Sequence, residues 1–178
     1  PNVNKNNFIN NIQKKIKKEL KKFKLKNFDT ILLHNINDIK YVKYRSKILH
    51  ELLKLKKKKL TSKIGVSIYE PNDLKLVLKF FNPDVVQIPL NIFDQRFLKN
   101  NLLKELKKKN ILIQVRSIFL QGLLLKNYKE IKKINCKKEL KKKLIYFSDW
   151  CTSSKISQLT ACIEYIKSIK YIDFIILG

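Results

Sequence analysis

Five short apolar runs, each followed or preceded by a stretch of helical periodicity, constrain this chain more than any other feature of it. The runs are residues 28–34, 63–67, 85–88, 111–116 and 174–177. The first, 28–34, is nearly continuously apolar, as a strand is when both of its faces are buried in a parallel sheet. Between the runs the apolar positions recur at three- and four-residue steps, with lysine on the other side, which is the pattern of an amphipathic helix. Phe8, Ile9, Ile12, Ile16, Leu20 and Phe23 predict a first helix. Ile48, Leu49, Leu52 and Leu53 predict the inward face of a second, over 44–58. Pro71 opens a third, containing Leu74, Val77, Leu78 and Phe81. A fourth spans 97–108 with Leu102, Leu103 and Leu106, and a longer helical region runs from 122 to 169. Trp150 is expected to pack that region against the sheet.

The order is helix, then strand and helix four times, then strand. Short strands alternating with helices build parallel β/α units, either in an open doubly wound sheet or in part of a closed barrel. No glycine-rich turn follows any strand, so the dinucleotide fingerprint of the open fold is missing. Polar residues end the strands instead: His34, Ser67, Gln87, and Arg116 with Ser117. Barrel enzymes carry their chemistry at those ends. The chain has one domain's length, and a single domain is expected over residues 1–178.

The formal net charge of +26 raises a nucleic-acid surface as a competing reading. Lysines, however, sit on every predicted helix, as in Lys14-Lys15, Lys56 to Lys59, Lys107 to Lys109 and Lys141 to Lys143, rather than on one element. A solvated helix face tolerates lysine at little cost. No aromatic-basic interleaving or helix-turn-helix pattern accompanies the charge, so no nucleic-acid partner is expected. No run reaches the length of a membrane span, so no membrane partner is expected either. Cys136, Cys151 and Cys162 match no metal-ligand spacing and no closed disulfide set; a reduced, cytoplasmic setting without a metal is the expectation, with Cys162 in the core. His50 lies in a lysine-rich helical stretch and reads as a surface residue.

Taken in order, the strand ends resemble the aldo-keto reductase superfamily. Asp29-Thr30-Ile31-Leu32-Leu33-His34-Asn35 is similar to the family's fourth strand with its catalytic histidine. Ile64-Gly65-Val66-Ser67 is similar to the fifth, and Val86-Gln87-Ile88-Pro89-Leu90-Asn91 to the sixth. Arg116-Ser117-Ile118-Phe119-Leu120-Gln121-Gly122-Leu123-Leu124 resembles the seventh strand of a bacterial branch and is the most specific block. Leu159-Thr160-Ala161 and Asp173 to Gly178 look like the next helix and the eighth strand.

The resemblance implies a partial (β/α)8 barrel, about strands four to eight, in an NADP-dependent oxidoreductase that moves a hydride between NADPH and a small carbonyl or alcohol substrate. It implies that His34 donates a hydrogen bond to the carbonyl oxygen. Ser67 and Gln87 would hold the nicotinamide carboxamide, and Arg116, Ser117, Phe119 and Gln121 would line the cofactor groove; Phe119 is equally placed to be packing. Two departures stand out: Ile68 follows the serine where many relatives have asparagine, and Arg116 replaces a nicotinamide-stacking aromatic. Arginine stacks through its planar guanidinium or meets phosphate. Asn91 and Asp94 are weaker candidates for the mouth, and Tyr69 for a position near the cofactor. The chain begins at Pro1 and contains no methionine, so it is not expected to begin at a natural start codon. The resemblance implies that Pro1 falls just after the family's third strand, and that the segment after the eighth strand is absent too. The family's catalytic tyrosine, aspartate and lysine would precede Pro1, leaving this piece inactive alone. A barrel scaffold that binds or regulates without catalysis is the alternative.

Overall fold

The computed structural model describes residues 11–177. Phe8 and Ile9 of the first predicted helix, and Gly178 of the block that resembles the eighth strand, lie outside the described residues. The elements are α1 (Ile12–Lys22), β1 (Phe28–Leu33), α2 (Asn37–Lys40), α3 (Val42–Lys57), β2 (Thr61–Ser67), α4 (Pro71–Phe80) and β3 (Val85–Pro89). After them come a 3-10 segment (Arg96–Asn101), α5 (Leu102–Lys108), β4 (Leu112–Arg116), a 3-10 turn (Leu123–Leu125), α6 (Tyr128–Lys133), α7 (Lys138–Ser153), α8 (Gln158–Lys167) and β5 (Phe174–Ile175). The strands hydrogen-bond in sequence order, β1-β2-β3-β4-β5, and β1–β2, β2–β3 and β4–β5 are parallel. Parallel neighbours in sequence order need a crossover helix each time, which the alternation supplies.

The chain falls into two compact units, and their division runs through β3 and β4. The first comprises residues up to Gln87 together with Lys108–Leu112. Its core sets Ile48, Leu52 and Leu55 of α3 against Ile64 of β2, with Ile16 of α1 and Ile31 and Leu33 of β1 packed on it. Leu55 is fully buried and Leu53 is 51% exposed, reversing the expectation for Leu53. At about 100° per residue Leu53 lies well off the stripe through Ile48, Leu52 and Leu55. Phe23 also turns outward, because α1 has already ended at Lys22. The run 28–33 is not buried on both faces: none of its residues is fully buried. It lies at the end of the strand order, where an edge strand lacks a neighbour on one flank. In β2, by contrast, Ile64 to Ser67 are all buried, because strands flank it on both sides.

The second unit packs Leu124, Ile131 of α6, Leu144, Phe147 and Cys151 of α7, and Ala161 and Cys162 of α8 into one cluster. The helical region expected from 122 to 169 is three helices and a 3-10 turn. Asn127 breaks it first: its Oδ1 accepts from Glu130 N–H at 3.0 Å while Glu130 Oε2 accepts from Asn127 N–H at 3.0 Å, a reciprocal cap. Ser157 starts α8 by accepting from Thr160 N–H at 3.0 Å. The helix expected over 97–108 is likewise interrupted. Asn100 and Asn101 adopt φ of 58° and 55°, a conformation asparagine tolerates better than most residues. Regular α-helix begins only at Leu102.

The same clamp occurs in both units. Asp84, just before β3, donates its N–H to Ile64 O at 2.8 Å and accepts Ile64 N–H on Oδ2 at 2.9 Å. Lys56 of α3 holds that carboxylate at 2.6 Å. Asp173, just before β5, donates to Ile113 O at 3.0 Å and accepts Ile113 N–H at 2.8 Å, with Lys107 at 2.8 Å. Each aspartate thus satisfies the backbone of a residue with 1% exposure or less. Alanine at either position is expected to cost about 1–3 kcal/mol by orphaning a buried N–H. Urea denaturation checks this, with Lys56→Ala, which removes only a partly exposed partner, expected to cost under about 1 kcal/mol.

Cys151 and Cys162 are 2% and 1% exposed, as expected for Cys162, whereas Cys136 is half-buried. Burial, and secondarily the neighbouring Cys151, push the Cys162 thiol up to about 11. In the folded chain this thiol stays neutral where the unfolded thiol, near 9.0, ionises. Stability from this group is therefore present below pH 9 and lost as pH rises toward about 11. At neutral pH, alkylation followed by mass spectrometry is expected to label Cys136 first, with Cys151 and Cys162 reacting only at the rate of opening.

Candidate active site at the strand ends

β2 and β3 are in register with Ser67 opposite Gln87, and β1 and β2 with Leu33 opposite Val66. In the first unit His34 stands one residue past β1, Ser67 ends the neighbouring β2, and Gln87, opposite Ser67, is the third residue of β3. Level residues in paired strands present side chains to the same face, and Ser67 Oγ donates to Gln87 Oε1 at 3.0 Å. Ser67 is 1% exposed and Gln87 half-buried. A hydroxyl and a primary carboxamide fixed together in this way form a donor and acceptor pair suited to a flat amide.

His34 stands one residue past β1 and is exposed. It is therefore not a core histidine satisfied by backbone groups. The ring of Tyr69, two residues beyond Ser67, meets it edge-on, with centroids 6.3 Å apart and planes at 72°. Tyr69 is 48% exposed. Ile68, where the family pattern has asparagine, is fully buried, and its N–H donates to Gln87 O at 3.0 Å. His50 is on the surface, as its surroundings in the sequence suggested.

The second unit carries the remaining candidates. Arg116 ends β4, half-buried, and donates from Nη1 to Ser117 Oγ at 3.3 Å. Ser117, Leu120 and Gln121 have φ of 60°, 48° and 55°, and Gly122 has 82°. A loop with this much left-handed backbone stores strain, as functional loops often do. The turn closes through Leu120 N–H to Ser117 O at 3.0 Å and Leu124 N–H to Phe119 O at 3.1 Å. Gln121 is exposed, while Phe119 packs on the α6–α8 cluster.

Asn91 has a structural part that its sequence position did not reveal. It is 2% exposed, donates from Nδ2 to Ser117 O at 3.2 Å, and accepts both Phe93 and Asp94 N–H groups at 2.9 Å on Oδ1. It ties the loop after β3 to the loop after β4. Asp94 is held in turn by Arg96, whose hydrogen bonds lower its carboxyl below the usual carboxylate range. Trp150, expected inside, is 46% exposed and stacks on Phe147 at 6.3 Å with 17° between planes. It sits one turn after Tyr146, on the outer side of the stripe through Leu144, Phe147 and Cys151.

Among the described residues no group of His, Cys, Asp and Glu could hold a metal ion, and no helix is long and apolar enough to cross a membrane. The sequence profile of the aldo/keto reductase family matches residues 2–178. No curated protein matches the chain. Among solved structures it is similar to the apo form of aldo-keto reductase AKR11C1 from Bacillus halodurans, with TM-score 0.70 and 17% identity over 96% of this chain and 58% of that one. The holo form of the same protein gives TM-score 0.66 at 16% identity, over 96% and 57%. The glycerol dehydrogenase AKR11B4 from Gluconobacter oxydans gives 0.68 at 16%, over 94% and 54%. The chain therefore spans a little over half the length of these structures. Its fold class is that of part of a (β/α)8 barrel.

Proposed function

Since the chain belongs to the aldo/keto reductase family, we propose that it forms the strand-four-to-eight part of one barrel domain in a cytoplasmic NADPH-dependent carbonyl reductase. NADPH, when bound, supplies the hydride for reduction of a small carbonyl substrate. The chain's own residues bind, orient and polarise. Ser67 and Gln87 receive the nicotinamide carboxamide, and their 3.0 Å hydrogen bond fixes the pair before the ligand arrives. His34 donates a hydrogen bond to the substrate carbonyl oxygen, where negative charge grows during reduction. Arg116 offers a flat cation to the ring or to phosphate, and Ser117 and Gln121 offer polar groups along the same loop. Phe119 serves the loop chiefly as packing.

The observation that carries this reading is the pairing of Ser67 with Gln87 across β2 and β3, in register and joined by a hydrogen bond, with His34 one residue past the neighbouring β1. We place the family's tyrosine proton donor, its aspartate and its lysine outside these 178 residues. The chain assayed alone with NADPH and a reactive aldehyde is then inert, and the whole enzyme oxidises NADPH only when aldehyde is added. A whole enzyme that binds NADPH yet reduces no carbonyl would favour the non-catalytic scaffold instead.

A further inference from the structure

A second concave surface lies in the second unit, built by the loop after β3 together with α7 and α8. Its apolar part has a volume of about 460 Å³ and is walled by Phe93, Phe147, Trp150 and Tyr165. That is within the range of small-molecule pockets, which combine apolar walls with a few polar groups. Phe93 meets Phe147 edge-on at 6.2 Å, and Trp150 stacks on Phe147, so the walls are held by one another. Trp150 and Tyr146 are nevertheless 46% and 75% exposed, so an aromatic face stands open to water beside the pocket.

Next to it is a second cavity, of about 600 Å³, which shares Ile92 and Phe93 with the first. Its lining changes character, to Asp94, Arg96, Lys99 and Lys143. Asp94 and Arg96 neutralise each other through two hydrogen bonds of 2.8 Å. Lys99 and Lys143 are exposed and leave this end cationic. The acid at the apolar end, Glu164, is paired with Lys167 at 2.7 Å and adds no net negative charge. The trough thus runs from an aromatic end to a positive end.

We propose that it binds an amphipathic monoanion, an aromatic body bearing a single carboxylate, with the ring among Phe93, Phe147 and Trp150 and the carboxylate toward Lys99 and Lys143. The ring removes exposed indole and phenol surface from water. The carboxylate meets cations whose side chains are free to follow it at little cost. The site uses none of the strand-end residues and does not depend on the reductase reading.

Trp150 is the chain's one tryptophan, so its emission reports this trough directly. The test titrates the 178-residue chain with 4-phenylbutyrate, with 4-phenylbutan-1-ol as the neutral analogue, while far-UV circular dichroism confirms that the fold is unchanged. The expected result is a saturable change in Trp150 emission, with the alcohol at least about fivefold weaker. The double variant Lys99→Gln/Lys143→Gln, altered only at exposed positions, should bind the carboxylate about five- to tenfold more weakly. Its affinity for the alcohol should not change. Absence of a saturable change overturns the site. Equal affinity for acid and alcohol, or an undiminished affinity in the double variant, overturns the assignment of an anionic ligand.

Discussion

Gly65→Ala is expected to destabilise the chain by about 3 kcal/mol or more, the upper end of what overpacking costs. Small domains hold about 5–15 kcal/mol in total, so this is a large fraction. A Cβ built on Gly65 would lie 2.5 Å from Val85 O, 2.5 Å from Leu32 Cδ2 and 3.0 Å from Val85 Cβ. The leucine end can swing away, but the carbonyl belongs to the partner strand, with Gly65 and Val85 directly paired. Relief therefore requires β2 and β3 to separate, two residues below Ser67 and Gln87. Gly122→Ala is the control. Nothing lies within 4 Å of its Cβ, and only its φ of 82° penalises a side chain, at about 1–2 kcal/mol. Urea midpoints of the two variants should differ clearly, with Gly65→Ala the lower. The reverse order would mean that the β2–β3 approach is looser than described.

His34→Ala in the whole enzyme is expected to lower kcat/KM for carbonyl reduction by about 10²–10³-fold while leaving NADPH affinity unchanged. That is the range seen when one donor to a developing oxyanion is removed. Stability is not expected to confuse the result. His34 is exposed, and exposed substitutions cost within about 0.5 kcal/mol. Steady-state kinetics together with a direct NADPH titration separate the two quantities. A loss of cofactor binding with kcat intact would assign His34 to the cofactor rather than to the carbonyl.

Much of this architecture was legible in the sequence because short apolar runs and helical stripes report burial directly. Positions 63–67, 85–88 and 111–116 are strands within two residues of their expected limits. The failures have local causes. The run 28–33 reads like a central strand, but composition does not encode which strand ends the sheet order. The apolar periodicity over 97–108 and 122–169 continues across breaks in the helices themselves. The Asn100-Asn101 pair and the Asn127 to Glu130 capping box were both visible as breaker and cap signals. Leu53 and Trp150 failed for another reason: a residue beside an apolar stripe is not on it, and only the helical angle decides. Strand polarity and order single out Ser67 and Gln87 in the sequence, and the structure pairs them through a hydrogen bond. Asn91 was undervalued because its three hydrogen bonds to loop backbone are not a pattern in the sequence.

The central proposal is that the nicotinamide and the carbonyl meet beside His34, Ser67 and Gln87. NADPH titrated into the isotopically labelled chain and followed by NMR addresses that directly. The Gln87 side-chain amide and the His34 imidazole C–H signals should move together and saturate at one cofactor per chain. If both stay in place while the chain is folded and NADPH shifts only lysine-bearing helix surfaces, the cofactor is held by charge alone and the account is wrong.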